Sequence, residues 1–383
     1  MTRALLFLII ILTAWSPNTK STSEPDLLQQ KNEIENAMKK GVAYLLEKQN
    51  KDGSWGAPKS YPINYSEIGI YRLALGSHKG VRLACTAICT LGLMDYPFQN
   101  KKIDDSIEAA INYCLKNWKS PYDQYTSFNI YGYSYNLDFL STLFNSPRGK
   151  KYRETITKIV PKIVEKLKVL QQHQGGWSYY SGPDHGGSSM SFTTARIILS
   201  LQKAKIAGIK FNYGVLNDAV RFLKTTKISD GSFIYDGRFV HYVAHQVETL
   251  GNVGRTQICG LALHRVQGGF TKKDLLHWTK ELYKNGAYLE IGRKRLIPHR
   301  DAPNNISGYF FFYAYYYSTE IMETELNGES LNKEWSDMVS NIMRTQEKDG
   351  SWYDTLFYGY GKKWGTGMAI SCLARCHRAV LSK

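Results

Sequence analysis

The chain has 383 residues, of which 43% are hydrophobic and 21% are charged, and this composition excludes a disordered or low-complexity polypeptide. At about 150 residues per domain, the length favours two or three domains and is far above that of a short disulfide-stabilised scaffold. The formal net charge of +16 predicts a surface that attracts anions, such as nucleic acid, acidic glycans, phosphorylated ligands or lipid head groups.

The N-terminus has the pattern of a signal peptide. Arg3 precedes an apolar run over residues 4–15, and a polar segment follows. The run is shorter than the ~18 residues of a membrane-spanning helix, and Ser21 and Ser23 are small enough for a cleavage site. We therefore predict that residues 1–23 are a signal peptide and that the protein is secreted, periplasmic or on the cell surface. An uncleaved anchor is the alternative, and no later segment is predicted to span a membrane.

A short motif recurs along the chain. Residues 49–55 read glutamine, two variable residues, aspartate, glycine, serine and tryptophan. The aspartate position and its equivalents fall at 52, 174, 230 and 349, with gaps of 122, 56 and 119 residues. These gaps fit multiples of about sixty residues, which predicts two degenerate copies between the clear ones and six units in all.

Each unit is predicted to be a helical hairpin. The first helix is amphipathic, as the spacing of Ile34, Met38, Val42 and Leu45 shows, and the motif glycine ends it. The second helix is richer in small and apolar residues. These second helices are predicted over residues 81–93, 129–144, 190–207, 256–266, 308–321 and 365–380, and the first helices of the degenerate units over 101–118 and 271–285. Polar first helices belong outside and apolar second helices inside, so the predicted fold is all-α, an (α/α)6 toroid.

The motif also resembles that of the prenyltransferase and squalene-cyclase repeat family. The match is residue by residue at 49–55 and 346–352, and the resemblance extends over 33–383. It implies a single toroid domain over residues 24–383, in which the motif braces neighbouring helices. A structural role is thus implied for Gln49, Asp52, Gly53, Trp55, Gly176, Trp177, Asp230, Gly231, Gln346, Asp349, Gly350 and Trp352.

The family's catalytic motifs are absent from this sequence. The Asp-x-Asp-Asp acid of squalene-hopene cyclases does not occur, and the pair Asp104 and Asp105 suits the start of an outer helix. The Asp-x-Cys zinc site of protein prenyltransferases is missing, and Cys259-Gly260 is not followed by the Glu-Gln of thioester toroids. Whether the protein is an enzyme is therefore left open by these motifs.

Long connections between first and second helices should all emerge at one end of the ring. That end also holds the N-termini of the inner helices, whose free N–H groups favour an anionic ligand. Polar residues of these loops include Asp236 and Asp354. The predicted ligand-binding residues are Arg238, Arg255, Arg293, Arg295 and Arg300, with Tyr309 and Tyr313 from an aromatic wall for which core packing is the alternative.

The same loops carry the candidate catalytic and metal-binding residues. Candidate acid–base residues are Asp184, His185, His241, His299 and Asp301. A serine-capped glycine-rich turn is the alternative interpretation of 184–189. His241 and His245 have the spacing of two ligands on one helical face, with Glu248 nearby, so zinc or another divalent metal is a hypothesis; ordinary packing is the alternative.

The cysteines allow three interpretations. Cys85 and Cys89 lie on the first inner helix and Cys372 and Cys376 on the last, and these helices become neighbours when the ring closes. A disulfide, a four-cysteine metal site and buried free thiols are all compatible with this spacing.

The sequence thus predicts an exported toroid that binds an anionic or amphipathic small molecule or a glycan at the mouth of the ring, with no nucleic-acid motif. The alternative is an enzyme, either a divergent terpenoid-cyclase-like protein or a glycan lyase or hydrolase. An aromatic-lined tunnel with one buried carboxylic acid would favour the cyclase. An open basic cleft would favour the glycan enzyme, and a fully packed centre would leave a scaffold.

Overall fold

The computed structural model describes residues 27–57, 75–119, 129–179, 188–237, 249–294, 308–355 and 359–381. Within these ranges the chain forms twelve α-helices and no β-strand, so the predicted all-α class is confirmed. The helices are α1 Lys31–Glu47, α2 Leu75–Asp95, α3 Lys101–Lys116, α4 Asn129–Asn145, α5 Arg153–Leu170, α6 Ser191–Ile206, α7 Gly214–Thr225, α8 Thr249–Arg265, α9 Lys272–Ile291, α10 Phe311–Thr324, α11 Asn332–Arg344 and α12 Gly361–Cys376.

The even-numbered helices form a closed inner ring. Each contacts the next even-numbered helix in chain order, and α12 contacts α2 to close the circle. In α10 every residue from Phe311 to Met322 is buried, whereas α1 buries one face that includes Ile34, Met38 and Leu45. An inner helix is covered on all sides, and an outer helix keeps a polar face in water. The predicted toroid of six outer and six inner helices is therefore confirmed for the described part of the chain.

Three inner helices begin earlier than predicted. Helices α2, α8 and α12 start at residues 75, 249 and 361, not at 81, 256 and 365. Their early turns contain polar residues that resemble loop in the sequence. In the structure two of these side chains bind the preceding motif turn: Asn252 donates to the hydroxyl of Ser232 at 2.9 Å, and Lys362 contacts Asp349 at 2.7 Å.

The motif tryptophan joins the two helices of a unit. The Trp352 indole donates to the carbonyl of Ile342 at 2.7 Å, and its backbone N–H donates to the hydroxyl of Thr366 at 3.0 Å. The same two bonds are made by Trp55 with Leu45 and Thr86, and by Trp177 with Leu167 and Thr194. In the fourth unit, Phe233 takes the tryptophan position and is fully buried.

The motif glutamine and glycine join one unit to the next. In the last unit this contact closes the ring, because Gln346 donates to the carbonyl of Ala37 in α1 at 2.9 Å. Gly350 has a φ of +82°, and a Cβ there would lie 2.7 Å from the carbonyl oxygen of Lys40. Only glycine fits this turn without strain and without displacing α1.

We expect Gly350→Ala to cost about 3 kcal/mol in free energy of unfolding, because a left-handed alanine (about 1 kcal/mol) is combined with a backbone clash. Gly328→Ala is the matched control: its φ is +94°, and nothing lies within 4 Å of its Cβ position. Urea titration of both variants measures the difference. Equal losses of stability in the two variants would show that a Cβ at residue 350 does not clash with α1.

The cysteines are all buried with free thiols. Cys85 and Cys89 in α2 do face the neighbouring α12 segment, where the carbonyl of Lys363 lies 3.4 Å from the sulfur of Cys89. Within the described residues, no three His, Cys, Asp or Glu side chains are grouped in a way that could hold a metal ion. Nor is any helix of that part both long and apolar enough to cross a bilayer.

Candidate functional site

A cavity of about 140 Å³ lies at the centre of the ring. Its walls come from five inner helices and from the segments that follow the second and last clear motifs. The aromatic lining residues are Tyr131, Tyr135, Tyr179, Phe192, Tyr309, Phe310, Tyr313 and Trp364. The aliphatic ones are Val81, Ala84, Ile88 and Met368, and the remaining polar ones are Thr193, Arg196, Asp354 and Thr355. The ring is therefore hollow, and its hollow is mainly apolar.

The aromatic wall is held by ring contacts around Phe192. The Phe192 ring packs edge-on against Phe310 at 5.0 Å and against Tyr313 at 6.3 Å between centroids. Packing of this kind fixes the orientation of the ring faces. Such faces carry partial negative charge and stabilise a nearby cation when water is excluded.

Three tyrosine hydroxyls form a cluster beside this wall. The Tyr179 hydroxyl lies 3.2 Å from that of Tyr309, and the Tyr235 hydroxyl bonds to both. Burial raises the pKa of Tyr179 and of Tyr235 well above the usual value. These two phenols are thus neutral and offer hydroxyl groups, not phenolate charge.

Among the described lining residues, Asp354 is the one that carries a carboxyl group. Its side chain is 2% exposed, and its Oδ1 has no hydrogen-bond partner among the described residues. Burial raises the pKa of Asp354 to about 7, although N–H groups of Phe312, Thr355 and Trp364 act in the opposite direction. Near neutral pH a large fraction of the carboxyl groups therefore carries a proton.

The segment of Asp354 is anchored from the end of α9. The backbone N–H of Lys294 donates to the carbonyl of Asp354 at 2.6 Å, and the guanidinium of Arg293 donates to the carbonyl of Tyr353 at 3.2 Å. Trp352, two residues earlier, is fixed between its own helices. The carboxyl group is thereby held at one place on the cavity wall.

A second polar group, Arg196 of α6, lies on the same cavity. Its guanidinium donates to Asp138 at 2.9 Å and lies over the Tyr135 ring at 4.2 Å from the centroid. Lys203 contacts the other oxygen of Asp138 at 2.9 Å. Although burial would raise it, Arg196 and Lys203 hold the pKa of Asp138 below its usual value, so the aspartate is ionised.

Four of the predicted site residues fall within the described part of the chain. Tyr309 and Tyr313 line the cavity. Arg255 is buried and donates to the carbonyl of Phe233 at 2.8 Å, and Arg293 holds Tyr353, so both arginines bind backbone. The other candidates lie outside the described residues: Asp184, His185, Arg238, His241, His245, Glu248, Arg295, His299, Arg300 and Asp301.

From the sequence, Asp354 was named among the polar loop residues but given no role, and Arg196 was not named. A weak sequence signal existed for Asp354, because it follows the motif aromatic Trp352 by two residues, as Asp236 follows Phe233 by three. In the structure both aspartates are buried. Arg196 had no signal, because one arginine in an apolar helix does not reveal whether it faces a neighbour or a cavity.

The sequence matches no protein-family model and no curated protein. A possible GH105 family member from Klebsiella pneumoniae has a TM-score of 0.57 and 12% identity, covering 91% of this chain and 93% of that chain. The type II terpene cyclase MstE from Scytonema has a TM-score of 0.52 and 13% identity, covering 92% of this chain and 99% of that chain. The GH76A alpha-1,6-mannanase from Salegentibacter sp. has a TM-score of 0.52 and 11% identity, covering 90% and 99%.

Identities this low establish architecture and not activity. The terpene cyclase and the mannanase catalyse different reactions on similar folds, so the likeness is one of fold. The chain is an α/α toroid, similar in fold to type II terpene cyclases and to toroidal glycoside hydrolases.

Proposed function

We propose that this protein binds a small unsaturated molecule of the isoprenoid type in the centre of the ring and that Asp354 donates a proton to it. One observation carries the proposal: a buried carboxyl with one unbonded oxygen lies on an aromatic-walled cavity. This combination of an aromatic lining and one buried acid favours acid-initiated chemistry on an apolar substrate. The lining comes from the N-terminal parts of the inner helices and from the segments after two motif turns, which belong to the end of the ring where the sequence predicts the ligand.

The reaction follows from the groups present. Neutral Asp354 transfers its proton to one alkene carbon, and the positive charge forms on the other. Aromatic faces such as those of Trp364 and Tyr313 stabilise that charge where water is excluded. Loss of a proton from the cation to the Asp354 carboxylate completes an isomerisation or cyclisation and restores the acid.

The size and walls of the cavity support a small apolar occupant. Its volume of about 140 Å³ is close to the ~150 Å³ of an apolar cavity that admits benzene. A glycan is a poorer occupant, because its hydroxyl groups would lose their hydrogen bonds to water against these walls. MstE, which has the same fold, is known in complex with geranylgeranyl dihydroxybenzoate, and an isoprenoid occupant here is our proposal.

The test uses linear terpenoids of five and ten carbons, incubated with the protein in D₂O at pH 6. Gas chromatography with mass spectrometry should show an isomerised or cyclised product that carries one deuterium from the acid. Asp354→Asn should abolish this product. Asp349→Asn, in the same segment but bonded to Ser351 and Lys362 away from the cavity, should retain it.

The pH profile gives an independent check. The reactive form of Asp354 is protonated, so the rate should fall about tenfold per pH unit above pH 7. A product formed equally by Asp354→Asn would overturn the role of Asp354. Terpenoid binding without any deuterated product would leave a binding protein without this chemistry.

A further inference from the structure

The guanidinium of Arg196 is buried deep in the ring with part of its donor capacity unused. Its residue is 3% exposed and lines the central cavity. A guanidinium has five N–H donors and accepts no hydrogen bond. One Nη donates to Asp138 at 2.9 Å, but Nε has no hydrogen-bond partner among the described residues.

An unpaired donor at this depth is costly, at about 1–3 kcal/mol. The stacked Tyr135 ring, 4.2 Å from the guanidinium, accepts no conventional hydrogen bond from Nε. A ligand oxygen placed against Nε would remove the penalty. The free energy that the unpaired Nε costs in the unliganded protein is regained when a ligand oxygen accepts its hydrogen bond, and it therefore adds to the affinity.

The local charge favours an anion over a neutral oxygen. Asp138 is shared between Arg196 and Lys203, at 2.9 Å each, so the three groups together carry one net positive charge. Glu320 also attracts Lys203, but its carboxylate is shared with Arg265 at 2.7 Å and Arg375 at 3.6 Å. It therefore balances only part of that positive charge.

We propose that Arg196 binds the carboxylate of the cavity ligand, which makes that ligand a short unsaturated carboxylic acid. The inference rests on the proposed function, since it assumes that the cavity is the ligand site. One guanidinium in a cavity of about 140 Å³ suits a single planar oxyanion, which guanidinium groups bind in a fork geometry. A diphosphate would bring more charge than one arginine balances.

The experiment compares three probes of equal chain length: geranic acid, its methyl ester and geraniol. Affinities for the full chain are measured by calorimetry at pH 6, where the geranic acid is ionised and Asp354 is protonated. The acid should bind at least about tenfold more tightly than either neutral probe, as one charge-assisted contact provides. Arg196→Gln should remove this preference and leave the affinity for the ester unchanged.

Arg82→Gln is the matched control, because Arg82 lies in the early part of another inner helix and is paired with Asp52 away from the cavity. It should retain the preference for the acid. Equal affinity of the wild-type protein for acid, ester and alcohol would overturn the role of Arg196 but leave the cavity as the ligand site. Absence of binding by all three probes would overturn both proposals. The wild-type comparison decides these outcomes even if Arg196→Gln does not fold.

Discussion

Replacing Asp354 with asparagine should stabilise the protein at pH 8 by about 4 kcal/mol while it abolishes the proposed reaction. Burial raises the pKa of this carboxyl to about 7 from an ordinary value of 3.8. The folded chain therefore holds a proton that the unfolded chain releases. Ionising the buried carboxyl above pH 7 costs folding free energy, and asparagine has no such cost.

The pH dependence has a definite sign. Below pH 3.8 the carboxyl is protonated in both the folded and the unfolded chain, so it does not change the free energy of unfolding. Between about pH 4 and 7 the unfolded chain releases the proton and the folded chain keeps it, so the stability of the wild type falls. Above pH 7 this loss of stability is complete. The gap between Asp354→Asn and wild type should thus grow from near zero at pH 4 to its full size at pH 8. Urea titrations at several pH values measure it.

Asp349→Asn is the control of opposite sign. Although partial burial would raise it, bonds from Lys362 and Ser351 lower the pKa of Asp349, so its ionised form favours the fold. Its loss should destabilise the protein near neutral pH. A gap for Asp354→Asn that does not change between pH 4 and 8 would show that the carboxyl is not protonated in the folded state, and the proton-donor proposal would fail with it.

The second large effect concerns Glu320, which joins three inner helices. Its carboxylate on α10 contacts Arg265 of α8 at 2.7 Å and lies 3.6 Å from Arg375 of α12. Although burial would raise it, the charges of Lys203, Arg265 and Arg375 hold the pKa of Glu320 well below its usual value. The group is therefore ionised throughout the ordinary pH range.

Glu320→Gln should cost about 3 kcal/mol in free energy of unfolding, because Arg265 and Arg375 lose their buried counter-charge and keep only the more exposed Glu325 and Glu323. Glu329→Gln is the control, since Glu329 pairs with Lys272 at the surface and should lose less than about 1 kcal/mol. Equal urea midpoints for the two variants would contradict a stabilising role for the buried network.

Local sequence was sufficient to predict the helices and their arrangement. Apolar spacing in α1 and the motif at residues 49–55 are short-range signals, and each translates directly into an amphipathic helix and a glycine-ended turn. Repetition of that unit then implies a ring, since each hairpin must cover its apolar face with the next. The errors occurred at helix starts such as that of α8, where polar side chains bind the preceding turn.

Which side chains form the site was decided by tertiary structure. Arginines of the long loops were predicted to bind the ligand, yet Arg255 and Arg293 bind backbone carbonyls. The cavity instead combines side chains far apart in the chain, among them Arg196 and Asp354. Whether a polar residue of an inner helix faces a neighbour or the hollow is a matter of helix rotation, which periodicity does not reveal in a helix that is apolar on every side.

What the sequence by itself determined is the repeat, the all-α class and the order of the two helical layers, because these depend on patterns within one unit of about sixty residues. The acidity of Asp354 depended on the closed ring. Burial raises the pKa of this carboxyl group because the folded chain removes it from water, and residues of α10 and α12, far apart in the chain, contact it there.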